Sequence, residues 1–463
     1  MDILLTHGYL LRDDRHEQQV MKPYPPLGIL CLSAYLKQRG FGVGVFDTTF
    51  KSLADFKELI CRERPAVVGI YCTLMTKFAV LEMIGIARQS GARVVLGGPE
   101  PASYCEEYLA RGAEAIVFGE GETALEEILH ALGAGGSSSL EGIAGIAWRR
   151  DDGTVVLSPA RPLITNLDSL PDPDRDAVDL GAYLTAWRGR HGVTSMSLIC
   201  ARGCPYYCSW CSHAVYGHSH RRRSPARVAD EILGLMERYH PDQLWYADDV
   251  FTIHHGWLSQ FGSELERRGL RIPFECITRA DRLNEEVIDR LVRMGCSRVW
   301  IGSESGSQRI LDAMQRGVKT EQVRAMTGAL RKRGIAVGMF IMLGYEGEQA
   351  EDLEATVSHL KESSPDVFLT TVAYPIKGTS YYKEVRDRVV ARSGWDQRTD
   401  RDLTVRGRRT KRYYSYATRW MVNSVALSQG RKNGAGLTRL ARAAANTVVG
   451  RIGMRLTQNQ RER

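Results

Sequence analysis

Along residues 1–131, short apolar runs alternate with longer stretches whose apolar positions recur every three to four residues. The first spacing predicts strands and the second amphipathic helices. Strands are expected at Asp2–Thr6, Gly42–Asp47, Val67–Tyr71, Arg93–Gly97 and Ala115–Phe118. Helices are expected around Leu27–Gln38, Leu53–Arg62, Lys77–Ser90, Tyr104–Arg111 and Glu122–Ala131. This βαβα rhythm argues for a parallel, doubly wound sheet, whose ligands sit at the carboxyl ends of the strands. The loops there are rich in Gly, Pro and Thr: Thr73 and Thr76, Gly97-Gly98-Pro99, and Gly119-Glu120-Gly121-Glu122.

Gly133–Ser139 has the composition of a flexible linker, and Ile143–Leu157 reads as a hairpin turning at Asp152-Gly153. Residues 158–192, with Pro171 and Pro173, read as an extended connector. A second βα series follows, with strands at Ser195–Cys200, Gln243–Ala247, Pro273–Ile277, Arg298–Gly302, Ala336–Leu343 and Val367–Ala373. Helices are expected between them at Pro225–Tyr239, Gly256–Arg268, Glu285–Met294, Glu321–Arg333 and Glu351–Ser363. Six βα steps without a clear seventh or eighth predict an open, partial (β/α)6 barrel. The fold class expected is α/β, in four parts: a doubly wound domain at 1–135, a hairpin connector at 136–192, the barrel at 193–385 and a mainly helical tail at 386–463.

Composition keeps the chain among globular proteins: 43% hydrophobic and 25% charged residues over 463 positions exclude a disordered or collagen-like protein. No apolar run approaches the roughly 20 residues of a membrane span. The opening Met-Asp-Ile-Leu-Leu-Thr-His-Gly has neither the basic nor the apolar region of a secretory leader, so a cytoplasmic location is expected. Ten cysteines are then expected as buried hydrophobes, nucleophiles or metal ligands rather than disulfides. Charge is unevenly placed. Residues 391–463 hold 17 of the 62 Lys and Arg and 4 of the 54 Asp and Glu, a local +13, while the other 390 residues carry a net −5.

Six cysteines are scattered, whereas Cys200, Cys204, Cys208 and Cys211 fall within twelve residues. Cys204-Pro-Tyr-Tyr-Cys208-Ser-Trp-Cys211 directly follows the first strand of the second series. Three thiolates at this spacing can hold three corners of an iron–sulfur cube and leave one iron without a protein ligand. A zinc knuckle completed by His213 stays open from this loop alone. Cys200, at a strand end, reads as a core cysteine.

The loop resembles the signature of the radical S-adenosylmethionine (SAM) superfamily, Cys-x3-Cys-x-aromatic-Cys, which Cys204, Cys208, Trp210 and Cys211 match. The resemblance extends over residues 193–375. Gly302-Ser-Glu304-Ser305-Gly306 resembles the segment that binds the ribose and methionine parts of SAM, and Gly344-Tyr-Glu-Gly347-Glu348 the Gly-x-Pro-Gly-Glu motif, with Glu346 in place of proline. Tyr246-Ala-Asp248-Asp249 stands where many members carry Gly-Gly-Glu, so Asp248 or Asp249 would take the SAM ammonium. The resemblance implies a 4Fe-4S cluster on the three cysteines, SAM on the remaining iron, an external electron donor of flavodoxin or ferredoxin type, and a 5′-deoxyadenosyl radical.

A doubly wound domain before such a barrel is similar to the cobalamin-dependent branch of that superfamily. Tyr24-Pro25-Pro26-Leu27-Gly28, Leu96-Gly97-Gly98-Pro99 and Gly119-Glu120-Gly121-Glu122 resemble that branch's recurring segments. The resemblance implies cobalamin held by Thr73, Thr76, Gly97, Gly98, Pro99, Gly119, Glu120, Gly121 and Glu122; a domain that binds nothing is the plainer alternative. Asp14-Arg-His16-Glu-Gln-Gln19 is the nearest match to the Asp-x-His-x-x-Gly of histidine-ligated corrinoids, but Gln19 replaces the glycine and the setting is charged. His16 therefore reads as a solvated side chain, and a cobalamin without histidine ligation is expected.

The implied reaction is C-methylation of an unactivated carbon, with an oxidative cyclase or ring-rearranging enzyme as the alternative on the same scaffold. An RNA-modifying enzyme is a further alternative, but no aromatic–basic strand platform supports nucleic-acid binding. His213, His218 and His220, with Arg221-Arg-Arg223, read as a solvated basic turn, with a place near SAM or an acidic substrate left open. Tyr206 and Tyr207 either face the corrinoid or pack. In the tail, Leu437, Leu440, Ala444, Val448 and Ile452 share a helical face with Arg439 and Arg442 opposite, while Arg451 and Arg455 turn onto the apolar side. That pattern fits a helix packed on the barrel, or a contact with a membrane surface or anionic substrate, which would suit a lipid-like molecule.

Overall fold

The computed structural model describes residues 1–134 and 140–463. Most of the Gly133–Ser139 linker lies outside the described residues. The strands are β1 (Ile3–His7), β2 (Val43–Phe46), β3 (Val67–Tyr71), β4 (Arg93–Gly97), β5 (Ala115–Val117), β6 (Ile146–Arg149), β7 (Val155–Leu157), β8 (Ser195–Leu198), β9 (Ala201–Arg202), β10 (Arg221–Arg222), β11 (Gln243–Tyr246), β12 (Phe274–Thr278), β13 (Cys296–Glu304), β14 (Ala336–Leu343) and β15 (Val367–Val372). Helices of the first half are α1 (Arg15–Val20), α2 (Leu27–Gln38), α3 (Leu53–Glu63), α4 (Lys77–Gln89), α5 (Pro99–Ser103), α6 (Cys105–Ala110), α7 (Glu122–Ala134), α8 (Leu180–His191) and α9 (Pro225–Tyr239). Those of the second half are α10 (His255–Arg267), α11 (Glu285–Met294), α12 (Gln308–Ala313), α13 (Thr320–Lys332), α14 (Ala350–Ser363), α15 (Ser380–Val385), α16 (Lys411–Lys432) and α17 (Leu437–Thr457).

The chain divides into two compact units. Unit one is 1–205, 212–245 and 393–399; unit two is 206–211, 246–392 and 400–463. In unit one a seven-stranded sheet runs in the order β2-β1-β3-β4-β5-β6-β7. Its first five strands are parallel, and β6 and β7 are antiparallel additions, so the predicted hairpin extends this sheet. Alternation along β1 fixes the layers. Leu4 points to one face, with Phe56, Ile60, Val80, Met83 and Tyr108, while Ile3 and Leu5 point to the other, with Ile29, Leu36, Leu125 and Ile128. Each such buried side chain contributes about 2 kcal/mol through area removed from water.

The connector expected at 158–192 is not extended throughout, because Leu180–His191 is helical. Asp179 caps this helix by accepting from Ala182 N, Gly192 ends it in the left-handed region, and Leu180, Tyr183 and Trp187 are buried at helical spacing. Pro171 and Pro173 both precede this helix and do not interrupt it. Trp187 Nε1 donates to Pro23 O at 2.8 Å and Tyr183 OH to Asp47 at 2.6 Å, which fixes α8 on the N-terminal domain.

All six expected βα steps of the second series form, on β8, β11, β12, β13, β14 and β15. In unit two, β12–β15 are parallel and pair in sequence order. Side-chain caps start several of the helices, among them Asn284 for α11. The tail is helical as expected, with α16 and α17 as an antiparallel-type pair of long helices joined by a four-residue turn. Among the described residues, no helix is long and apolar enough to cross a membrane.

Candidate functional site

In unit one, a cleft of about 740 Å³, counting solvent at its mouth, lies against the carboxyl ends of β1, β3 and β4. This is the switch point of a sheet ordered 2-1-3-4-5, where doubly wound sheets take their ligands. Leu5, Ile29, Leu32, Leu96, Val215 and Tyr216 give it an apolar wall. Six glycines complete the lining: Gly28, Gly69, Gly97, Gly98, Gly119 and Gly121. A Cβ on Gly28 or Gly97 would meet nothing within 4 Å, so these bare backbones open onto empty space that a side chain would fill. Gly98 is required for a second reason: its φ is +105° and a Cβ there would strike Cys72 O.

Glu120 and Glu122 also line the cleft, and their carboxylates are tied down. Arg202 Nη1 donates to Glu120 at 2.7 Å and its Nη2 to Glu122 at 2.6 Å, while Arg221 Nη1 reaches Glu120 at 2.7 Å. The antiparallel pairing of β9 with β10 sets Arg202 opposite Arg221, which is why both guanidiniums reach one loop. Burial opposes the Arg202 charge, but the Glu122 carboxylate, Tyr216 and the hydrogen bonds to Glu122 and Glu120 together outweigh it and raise that pKa. Glu120 also accepts from Ile164 N at 2.7 Å. The basic run 221–223 is therefore not a solvated turn: Arg221 and Arg223 are built into ion pairs, the latter with Glu231 and Asp172. His220 Nδ1 lies 3.2 Å from Gly203 O, beside Cys204, and Arg222 Nε donates to His220 Nε2 at 3.0 Å.

Three other residues expected at this ligand stand back from the cleft lining. Thr73 N donates to Thr76 Oγ1 at 2.9 Å, closing the turn into α4, and Pro99 opens α5. His16 is exposed at the start of α1, where Asp14 accepts from the backbone of His16 and Glu17. The Asp-x-His spacing there makes a helix cap.

In unit two, Cys208 is buried between two arginines. Arg316 Nη1 is 3.5 Å and Arg279 Nη1 3.7 Å from its sulfur. A hydrogen bond from Cys211 foremost, with the charges of Arg316 and Arg279 against the cost of burial, draws the Cys208 thiol down to about 5. That is the chemistry of a thiolate ligand. Arg279 is itself fixed by Asp281 at 2.8 Å, by Arg316 O at 2.6 Å and by stacking 3.7 Å above the Tyr206 ring, so Tyr206 packs while Tyr207 is exposed. Cys211 is exposed, and Trp210 packs with Ile310, Met314, Met342 and Tyr345. Cys204, in unit one, is half-buried, and Cys200 is fully buried, as a core cysteine would be. Among the described residues, no three His, Cys, Asp or Glu side chains are gathered as a closed metal site, so the triplet rests on its spacing and on the surroundings of Cys208.

Glu304 ends β13 at a register shift with φ +61°, a left-handed conformation uncommon for a non-glycine residue. Burial raises its carboxyl to about 7, Arg316 opposing and Cys208 adding to the effect. Ser305 is buried, 3.2 Å from Thr356 Oγ1, and accepts from Ser307 N. Asp248 is buried at the end of β11. Arg202, Tyr216, Arg279 and Arg316 carry no spacing signal in the sequence, because each is a lone Arg or Tyr in a loop or a two-residue strand; only Arg279, directly after a strand, offered a positional hint.

Two family models match the chain. The model described as "Radical SAM superfamily" matches residues 198–360, and "B12 binding domain" matches residues 19–129. An anaerobic magnesium-protoporphyrin IX monomethyl ester cyclase of Rubrivivax gelatinosus is 30% identical over 379 residues, spanning 79% of this chain and 67% of that protein. The chain belongs to the cobalamin-dependent radical SAM family. A relative from Pyrococcus horikoshii named as an uncharacterised methyltransferase is 29% identical over 388 residues, 82% of each chain. The solved structure of the radical SAM methyltransferase TsrM from Kitasatospora setae, with cobalamin and a [4Fe-4S] cluster bound, superposes with a TM-score of 0.69 at 21% identity, covering 85% of this chain and 81% of that one, and so shares the fold. The cofactors of this radical SAM enzyme are a 4Fe-4S cluster, SAM and cobalamin. The zinc-knuckle alternative falls with the match to the radical SAM model. As a radical SAM enzyme it takes a small-molecule substrate and an external electron donor.

Proposed function

We propose that the protein is a C-methyltransferase acting on an unactivated carbon of a small or lipid-like molecule, supplied with electrons by a flavodoxin- or ferredoxin-type donor in the cytoplasm. The observation that carries the reading is the cleft of unit one. It is apolar and glycine-walled, its two carboxylates are already ion-paired, and the described residues lining it include no histidine, which suits a flat corrinoid without a histidine ligand. The Pyrococcus horikoshii relative, matched along most of the chain, supports methyl transfer.

In this reading Cys204, Cys208 and Cys211 hold the cluster, with Arg279 and Arg316 stabilising the Cys208 thiolate. Trp210, Asp248, Glu304 and Ser305 form the SAM side, Ser305 through the fold of its loop on α14. Gly97, Gly98, Gly119 and Gly121 face the corrinoid, Glu120 and Glu122 fix that loop through Arg202 and Arg221, and Thr73, Thr76 and Pro99 shape the wall from behind. When bound, the cluster and SAM would supply the radical chemistry and the corrinoid the methyl group. The domains assigned are 1–135 for cobalamin, 136–192 as connector, 193–385 as barrel and 386–463 as tail.

The test is a labelled methyl group. In an anaerobic extract given SAM with a deuterated methyl, a product should gain that group in step with 5′-deoxyadenosine. A product that loses hydrogen and gains no label would replace methylation with the second reading, oxidative cyclisation, which the Rubrivivax gelatinosus relative favours.

A further inference from the structure

The last helix puts most of its bulky side chains on the opposite face from the one a core-seeking amphipathic helix would choose, whereas α16 buries Tyr413, Tyr414, Trp420 and Met421. α17 turns its small residues inward: Ala443, Gly450 and Gly453 are buried. A Cβ on Gly450 would lie 2.6 Å from Trp420 N, and one on Gly453 would strike the Tyr416 ring, so α16 occupies that side of the helix at close range. Met454 is buried with these small residues, but most of the bulky apolar residues are left outside. Leu437 is 85% exposed, Val448 56%, Ile452 52% and Leu456 76%, with Val449 beside them. At 100° per residue these positions, with Ala441 and Ala445, span about 120° of one continuous face.

The expected face was therefore misdrawn: Leu440 and Ala444 lie partly buried beside it, and Arg451 leaves it to pair with Glu354. Exposed Arg455 borders the stripe on one side and exposed Arg442 on the other. From Leu403 to Arg461 the chain has no Asp or Glu at all, while Lys411, Arg412, Arg419, Arg431, Lys432 and Arg439 are exposed. A solvated helix pair would ordinarily mix signs of charge, and an exposed apolar stripe of this length marks a contact surface.

We propose that the outer face of α17 docks on an anionic lipid bilayer, with Val448, Val449, Ile452 and Leu456 entering the headgroup boundary and the flanking arginines meeting lipid phosphates. The arrangement is that of an interfacial helix: an apolar face, a basic rim, and too little mean hydropathy to span. A bilayer is chosen over a second copy of the chain because α16 and α17 carry basic residues and no acidic one, so two such faces would repel.

The test is co-sedimentation of the full-length, cofactor-loaded protein with vesicles of phosphatidylglycerol and phosphatidylcholine, against phosphatidylcholine alone. Partition onto the anionic vesicles should be at least about tenfold stronger and should fall as salt is raised. Replacing Val448, Val449, Ile452 and Leu456 together with Gln should lower it about tenfold or more, and Arg442→Gln with Arg455→Gln should lower it too, with circular dichroism and SAM cleavage unchanged. The proposal is overturned if the apolar variant binds anionic vesicles as well as the parent does. It is equally overturned if the parent ignores vesicles and instead forms a dimer, seen by sedimentation equilibrium, that the Gln variant dissolves. Neither result bears on methyl transfer, which the labelled-SAM experiment reads separately.

Discussion

In unit one, Arg202 and Arg221 face the carboxylates of Glu120 and Glu122, whereas in unit two Arg279 and Arg316 face the sulfur of Cys208. Both arginine pairs are largely buried, and the partner decides the outcome. Against carboxylates, the guanidiniums cancel charge and brace a loop, leaving the cleft wall apolar. Against a thiol, they favour the thiolate and so prepare a ligand. The same residue type makes one site inert and the other reactive.

The largest expected effect tests the reactive side. Cys208→Ala should lower reconstituted iron well below about four per chain and cut SAM cleavage by about a hundredfold or more. Iron analysis and 5′-deoxyadenosine formation check this, and a variant that cleaved SAM normally would end the contrast at once.

Next in size is the bracing side. Arg202→Met strands Glu122 and half-strands Glu120 in a buried setting, and should cost about 3–5 kcal/mol of stability. Urea unfolding of the cofactor-free protein measures it; a loss under about 1 kcal/mol would mean that the pairs behave like surface salt bridges. Cobalamin affinity, read from its absorption spectrum, should fall with the loop.

A pH-dependent contrast lies between two buried groups of unit two that titrate in opposite senses. Burial pushes Glu348 up to about 8, against the backbone hydrogen bond from Gly344. The folded state thus holds this proton more tightly than the unfolded chain does, so its stabilising contribution is full below about 4.5 and disappears as pH rises through 8. Burial, with Arg324, lowers His359 to about 4, so its contribution is present above about 6.5 and is lost as pH falls toward 4. Glu348→Gln should therefore remove a few kcal/mol of stability loss between pH 5 and 8 while keeping the Gly344 bond, as denaturant midpoints across that range would show.

The smallest effect concerns the residue that resembles a cobalt ligand. Asp14→Ala should cost about 1 kcal/mol or less through the lost cap, and His16→Ala should leave the cobalamin spectrum unchanged. A spectral shift in His16→Ala would put a histidine into the corrinoid site.

Much of the molecule was legible because local signals agreed. Strand and helix spacing gave the seven-stranded sheet's parallel core and all six barrel steps within a few residues. The connector helix was obscured by the prolines before it, although Asp179, Gly192 and the Leu180, Tyr183, Trp187 spacing were present in the sequence. Glu120 and Glu122 were legible as loop residues of the cleft but not as ion-paired ones, since their partners lie about 80–100 residues away in the chain. The basic turn misread as solvated shows the same gap.

By itself the sequence determined the elements, the order of the two halves and the cysteine triplet, because each is a pattern of nearby residues acting through backbone geometry and chain periodicity. Only the tertiary structure decided which charges are paired and which face of α17 is left to solvent. Those outcomes depend on what distant segments bring alongside: Arg202 and Arg221 against Glu120, and Trp420 and Tyr416 against Gly450 and Gly453. The apolar face expected on the +13 tail keeps Leu437, Val448 and Ile452 but takes in Val449 and Leu456 where helix spacing alone had placed Leu440 and Ala444.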